Sequence, residues 1–290
     1  MTEKQKNIRN RLLVFSLGIP TVLAILILLP HFNHLATTLT VMLVSAIASW
    51  ELDPLFPSNT EQKNSYRPLA PLFGLFFPAL CYLELQEIIP AESTIAIGML
   101  LIAIIIGAQA FRRRPETFAN IQNLVPAKVF LLLYPGAFMA YIVRTGFLEN
   151  APVLLTVFVT AVFLNDSAAY AGGMLFGRRN GNVLPISPNK SIAGFCSGYF
   201  GSILVTVIAA NTMPNVFPGP ISKAVLFGFI IGTASIIGDL GESALKRSAT
   251  IKDSGSIIPG RGGLLDSIDS IAFAAPFFYY SYHLLFLSGV

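Results

Sequence analysis

The sequence predicts an all-α, polytopic integral membrane protein with about nine transmembrane helices. Hydrophobic residues make up 54% of the 290 residues and charged residues only 12%, whereas an average soluble domain carries about a quarter charged residues. Apolar stretches long enough to cross a bilayer core of about 30 Å also recur along the chain. We expect transmembrane helices at residues 12–30, 35–52, 68–86, 93–111, 127–147, 152–177, 191–212, 222–240 and 268–289.

The basic residues are distributed unevenly between the predicted loops. With the N-terminus in the cytoplasm, 17 of the 19 Lys and Arg residues fall on the cytoplasmic side, and only Arg144 and Lys223 fall outside. Because such a bias sets the orientation of membrane proteins, we expect a cytoplasmic N-terminus and an external C-terminus. The first apolar stretch has the basic flank of a signal peptide, but its length and the spans after it favour a retained helix.

The predicted helices fall into two parts. Residues 1–150 are expected to form five helices that act as a membrane scaffold and offer dimer contacts. Residues 151–290 are expected to form four helices that carry the functional site. Two predicted cytoplasmic connections in this second part, residues 178–190 and 241–267, are richer in Gly, Ser, Pro and charge than any outer connection. The two cysteines lie in separate apolar stretches, so no disulfide framework or thiolate metal site is expected.

Carboxylates at membrane depth mark the second part. Counted at 1.5 Å per residue along its helix, Asp166 lies about 9 Å below the cytoplasmic boundary of the bilayer core. Asp239, Asp266 and Asp269 reach a similar level from two other predicted helices. Acids inside a membrane are energetically costly and usually face a cavity or a partner, so four acids at one level predict a functional site.

The spacing of these acids indicates a metal site. Asp239 and Glu242 are three residues apart, as are Asp266 and Asp269, so each pair can share one helical face. Converging carboxylates repel one another, and a divalent cation removes that penalty. Because all the candidate ligands are oxygen atoms, we expect Mg²⁺ rather than zinc, with a second, monovalent cation as an open alternative.

A structural role is the alternative for individual acids. Asp269 would also be explained as an acidic residue at a helix N-terminus. Asp239 would also be explained by an ion pair with Lys246 or Arg247. A structural reading of each acid alone does not account for their common level in the membrane.

The two cytoplasmic connections carry residues suited to phosphate groups. Residues 246–263 combine Lys and Arg with several glycines, whose backbone N–H groups can turn toward an anion. Residues 185–191 offer serine hydroxyls and Lys190 just before a helix N-terminus, which is itself an anion site. Together with the acids, these connections predict a site for Mg²⁺ and several phosphates.

The second part also contains a long motif with specific spacing. The motif runs Ser243-Ala244-Leu245-Lys246-Arg247, Lys252-Asp253 and Pro259-Gly260-Arg261-Gly262-Gly263-Leu264-Leu265-Asp266-Ser267-Ile268-Asp269. Three further segments are Asn165-Asp166-Ser167-Ala168-Ala169-Tyr170, Ser187-Pro188-Asn189-Lys190 and Gly238-Asp239-Leu240-Gly241-Glu242-Ser243. These segments resemble the signature of the phosphatidate cytidylyltransferases, or CDP-diacylglycerol synthases. The nine-helix layout fits the same family.

The resemblance implies an activity. Members of this family are nucleotidyltransferases of phospholipid biosynthesis that convert CTP and phosphatidate into CDP-diacylglycerol and pyrophosphate. It further implies a homodimer in a bacterial-type inner membrane, with CTP arriving from the cytosol, phosphatidate from the bilayer, and no nucleic-acid partner.

Carried over residue by residue, the resemblance also assigns roles. The metal ligands would be Asp239, Asp266 and Asp269, with Asp166 and Glu242 beside them. The catalytic set would be Asp239, Asp266, Lys246, Arg247, Lys252 and Asp253, and CTP would be bound by Ser187, Lys190, Arg261, Gly262 and Gly263. The sequence departs from the family pattern at three positions: Arg261 replaces a His, Ser267 an Arg and Ala193 a Glu.

Two other functional classes remain open on the residues alone. Another Mg²⁺-dependent membrane transferase, such as a polyprenyl transferase that acts on a lipid diphosphate, would also use acids spaced three apart. An ion-coupled transporter would use buried acids as cation sites, but these are expected near the midplane and in both halves of the chain. A purely structural, lipid-organising protein is the last alternative.

Overall fold

The chain is described by a computed structural model that covers residues 18, 20–56, 67–111, 118, 121–177, 183–188, 190–258 and 262–287. Within these residues every regular element is a helix, and β pairing is confined to one isolated bridge between Ile258 and Gly262. The predicted all-α class is therefore confirmed.

Seven helices in the described part of the chain are long and apolar enough to cross a membrane. They are His31–Leu55, Ser93–Phe111, Ile121–Gly146, Ala151–Phe176, Ile192–Thr212, Ile221–Ser248 and Leu265–Leu287. Each overlaps one predicted span, so seven of the nine predictions are confirmed, and the chain is a polytopic membrane protein.

The other two predicted spans differ from these seven. The stretch 68–86 contains a helix of only 16 residues, Ala70–Leu85, which is shorter than the other seven and contains Pro78. Of the stretch 12–30, residues 18 and 20–30 are described, and residues 20–28 are helical. The count of nine helices and the sides on which the termini lie therefore stay predictions.

The helices divide into two compact units. One unit consists of residues 1–147 and 248–267, and the other of residues 148–247 and 268–290. The first boundary lies close to the predicted division at residue 150. The connection that follows residue 247 belongs to the first unit, although it lies in the second part of the sequence.

The first unit is built around a helix that starts with an irregular turn. Phe32, Asn33 and His34 have positive φ values of 52°, 51° and 59°, so the right-handed helix begins at residue 35, as the sequence predicts. The helices of this unit are α1 His31–Leu52, α2 Ala70–Leu85, α3 Ser93–Gly107, α4 Ile121–Leu132 and α5 Phe138–Gly146. A π-helical turn, Leu133–Ala137, joins α4 to α5.

An internal ion pair links three helices of the first unit. The Glu84 carboxylate of α2 accepts a hydrogen bond of 2.6 Å from the backbone N–H of Thr94, in the first turn of α3. The same carboxylate lies 3.5 Å from the Arg144 guanidinium of α5. Glu84 therefore satisfies one of the N–H groups that a helix start leaves without an intrahelical partner.

The second unit is a bundle of four helices with glycine at their contacts. Its helices are α6 Ala151–Phe176, α7 Ile192–Thr212, α8 Ile221–Ser248 and α9 Leu265–Tyr282, of which Ser248 and residues 265–267 belong to the first unit. A methyl group at Gly201 of α7 would lie 2.7 Å from the Leu164 carbonyl oxygen of α6, and one at Gly228 of α8 would lie 2.6 Å from the Ile203 Cα of α7. Small residues of this kind let membrane helices approach closely.

Aromatic side chains fill the interior of this bundle. Phe278 of α9 lies between Phe158 of α6, at a centroid distance of 4.8 Å, and Phe227 of α8, at 5.1 Å. All three side chains are at most 1% exposed. The close helix contacts and this aromatic core hold α6, α8 and α9 in a defined arrangement, which determines where their polar residues meet.

Two alanine substitutions should separate packed from unpacked glycines. Gly201→Ala is expected to lower stability by about 1–3 kcal/mol, because its methyl group overlaps the backbone of α6. Gly241→Ala, in the middle of α8 with no atom within 4 Å of the new methyl group, is expected to raise stability by about 0.5–1 kcal/mol. Thermal unfolding of both variants in detergent measures the difference, and equal shifts would contradict the packing described for Gly201.

Candidate active site

Four of the five predicted metal-binding acids lie together in the second unit. Asp269 of α9 is only 6% exposed. Three other carboxylates act on it electrostatically: Asp239 and Glu242 of α8, and Asp166 of α6. Asp166, Asp239, Glu242 and Asp269 therefore come from three helices and lie near one another, whereas Asp266, which was also predicted to converge with them, belongs to the first unit.

The helix contacts explain how these acids come together. Gly238 of α8 packs against α9, where a methyl group would lie 2.8 Å from the carbonyl oxygen of Asp269. This contact brings the next residue, Asp239, to the level of Asp269. One turn earlier in α8, the Ser235 hydroxyl donates a hydrogen bond of 3.3 Å to Asp166 Oδ1, which ties the acid of α6 to α8.

Two lysines accompany the acids of α8. Lys190, just before α7, forms an ion pair with Asp239, which also accepts a hydrogen bond of 3.5 Å from the Ser243 hydroxyl. Lys246 forms an ion pair with Glu242, whose side chain is fully buried. The sequence suggested Lys246 or Arg247 as the ion-pair partner of Asp239. In the structure Asp239 forms its ion pair with Lys190, and Lys246 forms an ion pair with Glu242.

The donor chemistry of this cluster fits a hard divalent cation. All four acids offer oxygen atoms, and Mg²⁺ in nucleotide enzymes typically takes one or two carboxylates and completes its shell with water and substrate phosphates. Among the described residues no three or more His, Cys, Asp or Glu side chains are arranged as a ready-made metal cage. The metal-binding role of these residues stays a prediction.

The fifth predicted ligand, Asp266, belongs to the first unit and organises a loop there. Its Oδ2 atom accepts hydrogen bonds from the Ser254 N–H at 3.0 Å, the Ser254 hydroxyl at 3.0 Å and the Gly263 N–H at 2.7 Å. We call the connection from residue 249 to residue 264 the signature loop. Asp266 therefore joins Ser254 to Gly263 near the end of this loop, a role that the sequence did not suggest.

The glycines of the signature loop have steric reasons to be glycine. Gly262 has a φ of +119°, which favours glycine, and a methyl group there would lie 2.5 Å from Asp266 Oδ2 and 3.1 Å from the Asp253 Cβ. Ile258 and Gly262 exchange two backbone hydrogen bonds of 2.8 and 3.1 Å. Arg261, predicted to contact CTP, lies between them and outside the described residues.

The remaining predicted residues lie at the surface or partly buried. Arg247, Lys252 and Asp253 are exposed, and Ser187 is half-buried. The Ser187 carbonyl accepts a hydrogen bond of 3.1 Å from the Lys190 N–H, so a turn precedes the lysine that pairs with Asp239. Their roles in CTP binding or catalysis stay predictions.

Glu51, near the end of α1, is a residue that the sequence did not single out. Its side chain is 2% exposed, and its Oε2 atom accepts a hydrogen bond of 2.8 Å from the backbone N–H of Leu265. The available signal was a carboxylate in the last turn of a predicted membrane helix, at its cytoplasmic end. Its partner lies 214 residues away in the sequence, and no local pattern identifies such a contact.

Comparison with known proteins identifies the family to which the chain belongs. A family model described as the cytidylyltransferase family matches residues 9–285. The phosphatidate cytidylyltransferase of Helicobacter pylori strain 26695 is 32% identical over 220 residues, which is 71% of this chain and 79% of that protein.

Two other relatives match over a shorter stretch. The phosphatidate cytidylyltransferase of Synechocystis is 42% identical over 135 residues, which is 46% of this chain and 45% of that protein. That of Haemophilus influenzae is 38% identical over 133 residues, or 45% of each chain. These matches thus span less than half the length of the two relatives. The family model covers nearly the whole chain, and the chain belongs to the cytidylyltransferase family.

Proposed function

We propose that this protein transfers the cytidylyl group of CTP to phosphatidate, which yields CDP-diacylglycerol and pyrophosphate. The observation that carries the proposal is the pairing on α8: the acids predicted to bind metal lie against the lysines predicted to bind phosphate, Asp239 with Lys190 and Glu242 with Lys246. One place thus offers ligands for a cation and for anions, which a nucleoside triphosphate with its metal requires. The family and the names of its relatives support this substrate pair.

The reaction requires alignment more than proton transfer. A phosphate oxygen of phosphatidate, already anionic at neutral pH, attacks the α-phosphorus of CTP. A new P–O bond forms while the bond from the α-phosphorus to the bridging oxygen breaks, and pyrophosphate leaves with that electron pair. No general base is needed, so the protein acts by holding the phosphates in line and stabilising negative charge.

Different residues of the chain would bind the phosphates and the metal ion. Lys190 and Lys246 would exchange their carboxylate partners for phosphate oxygens of CTP, and the exposed Arg247 and Lys252 would add positive charge from the cytoplasmic side. Asp239 and Asp269, with Asp166 and Glu242 nearby, would hold Mg²⁺, and Asp266 is a further predicted ligand. When bound, Mg²⁺ offsets negative charge on the phosphates and on the leaving pyrophosphate.

The predicted position of the site, near the cytoplasmic boundary of the membrane, accounts for the direction from which each substrate would arrive. CTP would enter from the cytosol and phosphatidate from the bilayer, in a bacterial-type inner membrane. We also propose a homodimer, on the family resemblance alone.

A label-transfer assay tests the proposal. Purified protein in detergent with Mg²⁺, phosphatidate and radiolabelled CTP is expected to move label into the organic phase. EDTA should stop this transfer, and added Mg²⁺ should restore it, because the carboxylates and the triphosphate are all negatively charged and repel one another without the cation. Transfer that persists in EDTA would contradict the metal assignment.

The same assay separates the competing functions. A polyprenyl-type transferase would leave CTP unused and would act instead on a lipid diphosphate supplied with Mg²⁺. An ion-coupled transporter would show neither reaction but would move a cation in vesicles. Either result would contradict the proposed cytidylyl transfer.

A further inference from the structure

We propose that Glu51 is a positioning residue for the signature loop. The expected effect of Glu51 on kinetics rests on the proposed function. The positioning of the loop by Glu51 rests only on contacts within the first unit. Glu51 lies in the N-terminal half of the chain, outside every motif on which the resemblance is based.

The first contact joins Glu51 to the start of α9. Leu265 is the first residue of that helix, and its N–H has no carbonyl partner within the helix. Glu51 Oε2 accepts this N–H at 2.8 Å, so α1 supplies the missing acceptor. A carboxylate is a strong acceptor for such a group, and its negative charge interacts favourably with the positive end of the helix dipole. Glu51 therefore determines where the signature loop ends and α9 begins.

Two glycines of the signature loop pack directly on the Glu51 carboxylate. A methyl group at Gly255 would lie 2.5 Å from Glu51 Oε1, and one at Gly263 would lie 2.5 Å from Glu51 Oε2. Gly263 also donates its N–H to Asp266 Oδ2. The carboxylate thus lies against two separate parts of the loop, one of which, Gly263, also binds Asp266.

The second carboxylate oxygen of Glu51, Oε1, does not contribute to the stability of the folded protein. Oε1 is buried and has no hydrogen-bond partner among the described residues. A buried acceptor without a partner destabilises the folded state, and an apolar side chain of similar size would avoid this penalty. A carboxylate here is better explained by the position that it imposes on the loop and on α9.

Three substitutions test this role. Glu51→Ala removes the acceptor and is expected to lower kcat/KM for CTP by about tenfold, through a higher KM for CTP with the KM for phosphatidate unchanged. Glu51→Gln still offers an oxygen to Leu265 and should remain within about threefold of the wild type. Glu84→Ala is the matched control, because Glu84 also accepts a backbone N–H at a helix start in the same unit, away from the loop.

A measurement that does not depend on activity accompanies the kinetics. Hydrogen–deuterium exchange at Gly263 and Leu265 should accelerate at least tenfold in Glu51→Ala and stay unchanged in Glu84→Ala. If Glu51→Ala does not fold, Gly255→Ala displaces the same carboxylate and should accelerate exchange in the same way. Equal exchange in Glu51→Ala and Glu84→Ala, or a KM raised equally for both substrates, would overturn the inference. A wild-type protein that transfers no label would instead contradict the proposed function, while the exchange result would still decide the role of Glu51.

Discussion

Asp269→Asn is expected to lower turnover by about 100-fold or more, because loss of one metal carboxylate removes several kcal/mol of transition-state stabilisation. The side chain keeps its size, so the packing of α9 against Gly238 is preserved. Steady-state label transfer at saturating CTP and phosphatidate measures the effect.

Stability should move in the opposite direction. Asp269 is buried and feels the negative charges of Asp166, Asp239 and Glu242, so its neutralisation removes repulsion from the folded state. We therefore expect the thermal unfolding temperature of Asp269→Asn in detergent to stay the same or rise. A residue with only a structural role would instead lose stability together with activity.

A matched control separates these two effects. Thr206 is a buried residue of the same unit, and its hydroxyl donates a hydrogen bond of 2.8 Å to the Ala224 carbonyl between α7 and α8. Thr206→Val should lower stability by about 1 kcal/mol and leave turnover unchanged. Near-native turnover in Asp269→Asn, or a loss of turnover that follows stability in both variants, would contradict the metal assignment.

The sequence predicted the helices well because their signal is local. A membrane helix requires about 20 apolar residues in succession, and this requirement located seven spans, although the observed bounds differ from the predicted ones by as much as eight residues, at Ser248. The 16-residue helix Ala70–Leu85 is the least regular case, since its prolines weaken the signal that length provides. The same counting of residues predicted one level in the membrane for Asp166, Asp239 and Asp269, and that level stays a prediction.

The details of the site depend on contacts between residues that are distant in sequence, and counting residues along a helix does not predict such contacts. Lys190 and Asp239 are 49 residues apart, and their pairing depends on how the turn before α7 meets α8. Asp266 was predicted as a metal ligand and a catalytic residue, but not as an acceptor within the loop, because its three hydrogen bonds depend on the conformation of the signature loop. Glu51 was not predicted, because its partner is also distant in sequence.

Lys190→Gln is expected to lower kcat/KM for CTP by about 10- to 100-fold, since a charge-assisted hydrogen bond to phosphate contributes about 1.5–3 kcal/mol. The loss should appear mainly as a higher KM for CTP, with the KM for phosphatidate unchanged. Lys223→Gln is the control, because Lys223 also belongs to the second unit but lies at the start of α8, on the predicted outer side. Initial rates at varied CTP concentration, together with equilibrium binding of CTP, measure the effect.

The ion pair between Lys190 and Asp239 offers a competing explanation, and the response to salt distinguishes the two. If Lys190 serves only to neutralise Asp239, Lys190→Gln should lower the unfolding temperature and leave the KM for CTP and its salt dependence unchanged. If Lys190 binds phosphate, the wild-type KM should rise steeply with ionic strength and that of Lys190→Gln should rise less, because one attraction to the triphosphate is lost. Lys190→Arg should recover most of the affinity for CTP, because guanidinium also binds phosphate. A KM for CTP that is insensitive to both substitutions would remove Lys190 from the nucleotide site and leave it as a structural partner of Asp239.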